Sequence, residues 1–288
     1  MLFDESLAKH TTFQVGGPAS FFLSSNDVTT ISQAVRLARA AELPVASLGG
    51  GSNVLVADAG FPGLIIHLDS TRCDVREDGT IDADAGTVLS RVVRTAIGKN
   101  FTGIEFAVGI PGSFGGALAG NAGTGGHGIA EYATSVTYLD AQGEVRTCAK
   151  ADLDVSYRYT RFKYTETDII LSGTLQLTTG SPTEIQARVK EVVERRGWQP
   201  KGAWCAGCAF KNPANNHAGK LIDQAGLKGK KIGGAMVSPE HANFIVNTGT
   251  ATAEDIVILI SYVKQQVRDQ LGVQLEEEVR YLGFAPSN

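Results

Sequence analysis

No stretch of these 288 residues approaches the roughly 20 consecutive apolar residues that a helix needs to cross a bilayer. The opening residues Met1-Leu2-Phe3-Asp4-Glu5 offer neither a basic region nor a following apolar run, so no secretory signal is expected and a cytoplasmic protein is. Charge of one sign is missing as well: 26 Lys and Arg stand against 30 Asp and Glu, a net charge of −4, with no basic stripe. That balance argues against nucleic acid or an anionic membrane surface as the main partner, while leaving room for an anionic small molecule held by locally placed cations. Cysteine is scarce. Cys73, Cys148, Cys205 and Cys208 are too few and too unevenly spaced for a disulfide framework in a chain of this length, and reduced thiols are expected. A zinc site would need two ligands beyond Cys205 and Cys208, and no second Cys-x-x-Cys or paired His motif supplies them, so no metal is expected. Also lacking are Gly-x-Gly-x-x-Gly at the start of a helix and Gly-x-x-x-x-Gly-Lys-Ser/Thr, which disfavours the standard Rossmann and P-loop sites.

What the chain has in plenty is glycine, 34 residues of it. Eight fall within the eighteen positions from Gly109 to Gly126, where Ser113, Asn121 and Thr124 are the only polar side chains. Such a run gives up helix and strand propensity, and its ordering is justified where the main chain must come close to a ligand. Bare N–H groups in glycine-rich turns bind anions, and small side chains admit a flat ring system. Ile110, Pro111, Phe114, Ala117 and Leu118 are ill suited to a solvated linker. Gly49-Gly50-Gly51-Ser52-Asn53 reads as a second cradle, and two cradles suit a dinucleotide, whose diphosphate and rings must be gripped from two sides.

The length allows two or three domains, and 43% apolar with 19% charged residues is ordinary for a globular chain. A strand is expected over 13–23, broken at Gly16-Gly17-Pro18, then a helix capped by Asn26 or Asp27 with Val28, Ile31, Val35 and Ala38 on its apolar face. Short strands follow at Val45 to Leu48, Val54 to Val56 and Leu64 to Leu68, and the polar segment from Asp69 to Gly79 marks a boundary near residue 70. A helix over Thr87 to Ile97 is expected to stop at Gly98. Strands at Ser135 to Asp140, Glu144 to Cys148 and Asp168 to Leu175 come next, and Ser181-Pro182-Thr183-Glu184 has the form of a capping box before another helix. Trp198-Gln199-Pro200 marks a second boundary. Beyond it, Thr252 and Asp255 open a helix striped by Ile256, Ile260, Val263, Val267 and Leu271 and ended by Gly272, and a terminal strand over Val273 to Leu282 closes the chain.

Taken in order, seven blocks resemble the bacterial UDP-N-acetylenolpyruvoylglucosamine reductases, the MurB family, over nearly the whole chain. They are Gly49 to Val56; Gly109-Ile110-Pro111-Gly112-Ser113 with Gly115-Gly116 and Asn121-Ala122-Gly123; Tyr157-Arg158; Gly207 to Pro213; Ala218 to Asp223; His241 to Asn247; and Glu278-Val279-Arg280. The short path from Lys163 to Ile169 resembles the type II-like branch without an extra tyrosine loop. The resemblance implies an α+β fold: an FAD-binding domain of vanillyl-alcohol-oxidase type in two α+β subdomains, residues 1–70 and 71–200, and a smaller α+β substrate-binding domain, residues 201–288. It implies a flavoenzyme in which NADPH reduces FAD and the enolpyruvyl sugar nucleotide then takes the hydride, in peptidoglycan precursor synthesis.

The same resemblance distributes roles. Gly49, Gly50, Gly51, Ser52, Asn53, Ile110, Gly112, Ser113, Gly115, Gly116, Asn121, Ala122 and Gly123 would hold FAD; Tyr157, Asn212 and His241 would contact the substrate. Arg158 and Glu278 would bind and polarise the enolpyruvyl carboxylate, stabilising charge where it develops. The family usually protonates the resulting carbon from a serine, and this sequence has Cys208 there. A thiol with a reference pKa of about 8.5 is mostly protonated at neutral pH and can donate. Thr124-Gly125-Gly126-His127 replaces an expected Ala-Tyr-Gly, and Trp198 an expected lysine. Lys228, Lys230 and Lys231 are candidates to neutralise the diphosphate of the sugar nucleotide. Read without the resemblance, the same residues also admit another FAD oxidoreductase of this fold or a flavin or sugar-nucleotide binding module without turnover. The spacing of Cys205 and Cys208 further admits a reversible disulfide, against the plainer reading of Cys205 as a small buried residue.

Overall fold

A computed structural model describes residues 1–165, 167–197, 199–200 and 202–284, so the expected boundary residue Trp198 lies outside the described residues. The chain folds as mixed α+β and separates into two units: residues 1–2, 21–50 and 63–197 form the first, and residues 3–20, 51–62 and the described residues from 199 onward form the second. Among the described residues no helix is long and apolar enough to cross a membrane.

In the first unit, helix α1 (Val28–Ala40) starts where the carboxylate of Asp27 accepts from the N–H groups of Thr29 at 3.3 Å and Thr30 at 2.9 Å. Its buried face, Ile31, Val35 and Ala38, packs with Leu23, Leu64, Ile66 and Leu171. Strand Val45–Ser47 runs parallel to the Leu64–Ile66 portion of strand Phe61–Leu68. A five-stranded antiparallel sheet carries the rest, in the order Val145–Ala149, Ala133–Leu139, Ile169–Gln176, Thr80–Asp84, Cys73–Val75. Its core side is covered by α2 (Leu89–Gly98), through Leu89, Val92, Val93 and Ala96, and by the short α3 (Phe114–Ala119). Gly98 is the last residue of α2 rather than its stop, and the left-handed position falls two residues later on Asn100, at φ 62°. Helix α4 (Pro182–Arg195) has proline at its first position, but the side chain of Ser181 makes no capping bond. The expected capping box does not form there, and Glu184 turns instead toward Arg188 at 3.8 Å. Arg188 also reaches the buried carboxylate of Glu105 at 3.0 Å, which accepts in addition from Thr102 and the N–H of Gly103. Burial pushes Glu105 up, and the bonds from Thr102, Gly103 and Arg188 together hold it below its ordinary range.

The second unit is built on a four-stranded antiparallel sheet ordered Trp204–Cys208, Phe244–Asn247, Ala235–Val237, Lys231–Ile232. Helices α5 (Ala218–Gln224) and α6 (Ala253–Leu271) pack against it around Phe210, Leu221, Ile222, Ile256, Leu259, Ile260, Val263 and Val267. Each such side chain contributes about 1.5–3 kcal/mol relative to exposure. The capping box of α6 forms as read, Thr252 accepting from the N–H of Asp255 and Asp255 from that of Thr252, and Gly272 ends the helix at φ 70°. The carboxylate of Asp58 adds two more bonds to the first turn, from the N–H groups of Ala253 and Glu254. The expected strand over 13–23 forms only as Pro18–Ser25, because Phe13 and Val15 are drawn into the core of the second unit. Strand Leu2–Ser6 was not anticipated. At the other end only Arg280–Leu282 is a strand, parallel to Val54–Val56; residues 273–279 are tied instead by single main-chain bonds to residues 209–211.

Candidate functional site

The two glycine-rich turns of the first unit lie against each other. A Cβ on Gly49 would stand 2.2 Å from the Ser113 hydroxyl, and one on Gly50 2.9 Å from the Gly112 Cα, so both positions are closed to any larger residue. Gly112 itself sits at φ 106°, and a Cβ on Gly115 would meet that of Ala85 at 2.5 Å. The Ser113 hydroxyl accepts from the N–H of Gly116 and caps α3. The main-chain N–H groups of Gly49, Gly50, Gly112 and Ser113 donate to no acceptor among the described residues. Four such donors in two abutting turns are the kind of arrangement that suits an anion. Ile110 and Gly116 border it in sequence; Ala122 is half-buried and Gly123 buried.

The remainder of the glycine-rich run supports a second feature. Both ends of the buried Asn121 amide are engaged within the protein: Oδ1 accepts from the N–H of Ala130 at 3.0 Å, and Nδ2 donates to the Ser156 carbonyl at 2.8 Å. Ser156 and Tyr159 exchange two main-chain bonds of 3.1 Å, leaving Tyr157 and Arg158 at the tip of a tight turn. Arg158 adopts φ 58°, and one of its terminal nitrogens donates to the Gly123 carbonyl at 2.6 Å. Its guanidinium lies 5.5 Å from the centroid of the exposed Tyr157 ring. A cleft beside Thr124 and Gly125 is lined by Phe106, His127, Arg188, Arg195 and Arg196, but each arginine is engaged, with Glu105, with Glu191 and with the Gly109 carbonyl respectively.

In the second unit, Gly51 is locked at φ 59° with its absent Cβ 2.0 Å from the His10 carbonyl oxygen, while its own carbonyl accepts from the N–H and hydroxyl of Thr12. Ser52 follows it, and Asn53 donates from its side chain to the Glu278 carbonyl at 3.0 Å, its own carbonyl accepting from the N–H of Arg280. The N–H of Glu278 donates in turn to the Ala209 carbonyl, next to Cys208. Main-chain bonds therefore bring Asn53, Cys208 and Glu278 together from three distant parts of the sequence. Cys205 stands opposite Val246 and Cys208 opposite Phe244, so three residues match two on the partner strand. The bulge at Ala206 and Gly207, the latter at φ 72°, absorbs the extra residue; without it the spacing would set the two thiols on opposite faces. No disulfide joins them, both are half-buried, and burial pushes Cys205 above its ordinary pKa.

Asn212 and His241 flank α5. The Asn212 side-chain oxygen accepts from the N–H of Ala218, and a Cβ on Gly219 would stand 2.8 Å from the His241 ring. His241 Nδ1 accepts from the N–H of Asn243 at 3.1 Å, which places any single ring proton on Nε2. Burial lowers the pKa of His241, with the nearby Lys228 acting in the same direction, so the neutral form is favoured. Lys228 pairs with Asp223 at 3.0 Å, Lys230 lies 4.7 Å from the Tyr262 ring centroid, and Lys231 is exposed. Of the three acids in sequence, Glu276 pairs with Lys211 and Glu277 with Lys264, leaving Glu278 as the one engaged with Asn53 and Ala209. Sequence reading did not single out Lys163, which the structure buries beside Arg158; its only sequence signal was the cationic and aromatic character of residues 156–164.

Two family models match this chain: residues 19–149 match an FAD binding domain, and residues 199–282 the C-terminal domain of UDP-N-acetylenolpyruvoylglucosamine reductase. The UDP-N-acetylenolpyruvoylglucosamine reductase of Geotalea uraniireducens (strain Rf4) is 40% identical over 284 residues, which cover 98% of this chain and 93% of that protein. The enzyme of the same name from Chlamydia felis (strain Fe/C-56) is 38% identical over 278 residues, covering 96% and 93%. Among solved structures, the UDP-N-acetylenolpyruvylglucosamine reductase of Thermus caldophilus superposes with a TM-score of 0.84 at 35% identity, covering 98% of this chain and 99% of that one.

Proposed function

We propose a reaction for this chain from one premise: it belongs to the UDP-N-acetylenolpyruvoylglucosamine reductase family. It is an FAD-containing oxidoreductase that reduces UDP-N-acetylglucosamine enolpyruvate to UDP-N-acetylmuramate at the expense of NADPH, in the cytoplasmic synthesis of peptidoglycan precursors. The observation that carries the reading is near-full-length similarity on both sides, 40% identity over 98% of this chain.

The residues present fit the cofactor. Four main-chain N–H groups without an acceptor among the described residues, at Gly49, Gly50, Gly112 and Ser113, suit a diphosphate, and the closed Cβ positions at Gly49 and Gly50 keep the turns bare enough for it to approach. The chemistry that FAD supplies when bound is two-electron carriage, a hydride in from NADPH and a hydride out to the enolpyruvyl double bond. In this reading Arg158 binds the substrate carboxylate through its guanidinium, and Glu278 orients and polarises the same group. Cys208 donates the proton that completes the reduced lactyl carbon. Tyr157, Asn212 and neutral His241, its proton on Nε2, contact the sugar nucleotide, and Lys228, Lys230 and Lys231 lower the cost of its diphosphate charge.

The deciding experiment is spectroscopic. The purified protein is expected to be yellow, to bleach anaerobically on adding NADPH, and to recover its colour on adding UDP-N-acetylglucosamine enolpyruvate. Colour that returns only with oxygen would mark an oxidase of the same fold, and binding without NADPH consumption a module without turnover; either overturns the assignment.

A further inference from the structure

We propose that Lys163 is a positioning residue for Arg158: its buried ammonium holds the arginine in the left-handed backbone conformation from which the guanidinium reaches the Gly123 carbonyl. The inference rests on the reading of Arg158 as the carboxylate-binding residue. Lys163 is 5% exposed, an unusual place for an ammonium, and its Nζ donates to the Arg158 carbonyl at 2.8 Å while lying 5.2 Å from the Tyr164 ring centroid. The lysine's own position is fixed through Thr160. Its N–H donates to the Thr160 carbonyl at 2.9 Å, and the buried Thr160 hydroxyl contacts the carbonyls of Ala119 at 2.9 Å and Leu118 at 3.3 Å, which end α3.

The backbone at Arg158 explains why such support is needed. At φ 58° an L residue with a long side chain is disfavoured, and glycine or asparagine would be the ordinary choice at the tip of this turn. The chain places an arginine there, so the side chain is needed and the conformation must be imposed from outside. The paired bonds between Ser156 and Tyr159 fix the ends of the turn, Asn121 grips the Ser156 carbonyl, and Gly123 receives the guanidinium. None of these holds the carbonyl of Arg158 itself. Lys163 does, and a charged donor makes that bond stronger than a neutral one. Without it that peptide keeps the Tyr159 N–H bond to the Ser156 carbonyl but loses its charged anchor on the Arg158 carbonyl, and the aim of the guanidinium loosens with it.

The test uses the FAD-loaded enzyme in anaerobic rapid mixing, following bleaching by NADPH and the return of flavin absorbance on adding UDP-N-acetylglucosamine enolpyruvate. Lys163→Met is expected to slow the second step roughly 10- to 100-fold, the cost of a small misplacement of a binding group. Flavin content and the NADPH step stay within about twofold of the parent, because the substrate carboxylate takes no part in them. Lys163→Gln, whose amide can donate to the same carbonyl, recovers most of the loss, and adding Lys163→Met to Arg158→Met slows the second step no further. An unimpaired Lys163→Met beside a crippled Arg158→Met, or losses that multiply in the double variant, overturns the proposal. Should Lys163→Met fail to retain flavin, Lys163→Gln carries the test alone, and a loss as large as that of Arg158→Met overturns it. An Arg158→Met enzyme with a normal second step would instead remove the reading of Arg158 on which the inference stands.

Discussion

Cys208 puts a thiol where the family resemblance leads one to expect a serine hydroxyl, and the two groups differ in more than size. Both can give a proton to a carbanionic carbon, but the thiol is the stronger acid by several units and is open to oxidation. Cys208→Ser is therefore expected to sustain turnover, while Cys208→Ala bleaches normally with NADPH and forms product about 10²- to 10⁴-fold more slowly, the range for losing a general acid. An alanine variant as fast as the parent would remove the cysteine from the mechanism. His241 leads to a second prediction. Burial depresses its pKa from 6.5, so the unfolded chain binds a proton on this ring more readily than the folded one. The stability it contributes is complete above about pH 6.5 and declines as the pH falls from there through the folded pKa. Between about pH 7.5 and 5.5 the urea midpoint should fall less in His241→Asn, which keeps an acceptor for the Asn243 N–H, than in the parent. Equal falls would contradict it.

At the scale of elements, the site is made of turns and not of helix or strand interiors. The Gly49–Gly50 turn and the Gly112–Ser113 turn lie so close that one added methyl group at residue 50 would displace main chain, not a mobile side-chain tip. Gly50→Ala is expected to yield a folded protein with flavin content lowered about tenfold or more, consistent with loss of even two aligned donors. Absorbance at the flavin band relative to protein measures it, and full flavin content would show that the two turns do not form the cradle. The tip of the 156–159 turn follows the same logic, held by Asn121 and Gly123 of the glycine-rich run. One run of small residues thus has two parts, bare at Gly112 and Ser113 and bonded to the turn of Arg158 at Asn121 and Gly123.

At the scale of the whole molecule, the second unit is assembled from both ends of the chain. Strand Arg280–Leu282 lies parallel to Val54–Val56, and Asn53 is bonded to both Glu278 and Arg280. A chain ending at Val279 loses buried Leu282 and the strand pairing together, at a cost of about 3 kcal/mol or more. Its melting temperature should fall by roughly 6 °C or more, and a fall within about 2 °C would show that this closure contributes little. Local sequence cannot announce a pairing across more than two hundred residues, because nothing at Arg280 records which segment it will meet.

Local chemistry was legible wherever the determinant is local. The stripe and cap of α1, the capping box of α6 and the left-handed Gly272 follow from spacing and residue type, which act within a turn or two of the chain. The resemblance of seven blocks carried the family. Reading failed in three places: Phe13 and Val15 leave an alternating pattern for the core of the second unit, Ser181 makes no capping bond although its motif is complete, and the left-handed position after α2 falls on Asn100 rather than Gly98. The tertiary structure alone decided that Asn121 braces a turn with its side chain, that a bulge sets Cys205 and Cys208 on one face, and that Lys163 is buried against the Arg158 carbonyl. The physical reason is common to all three. A side chain's hydrogen-bond partner is fixed by what the fold brings within 3 Å or so of it, and that neighbour is encoded elsewhere in the chain.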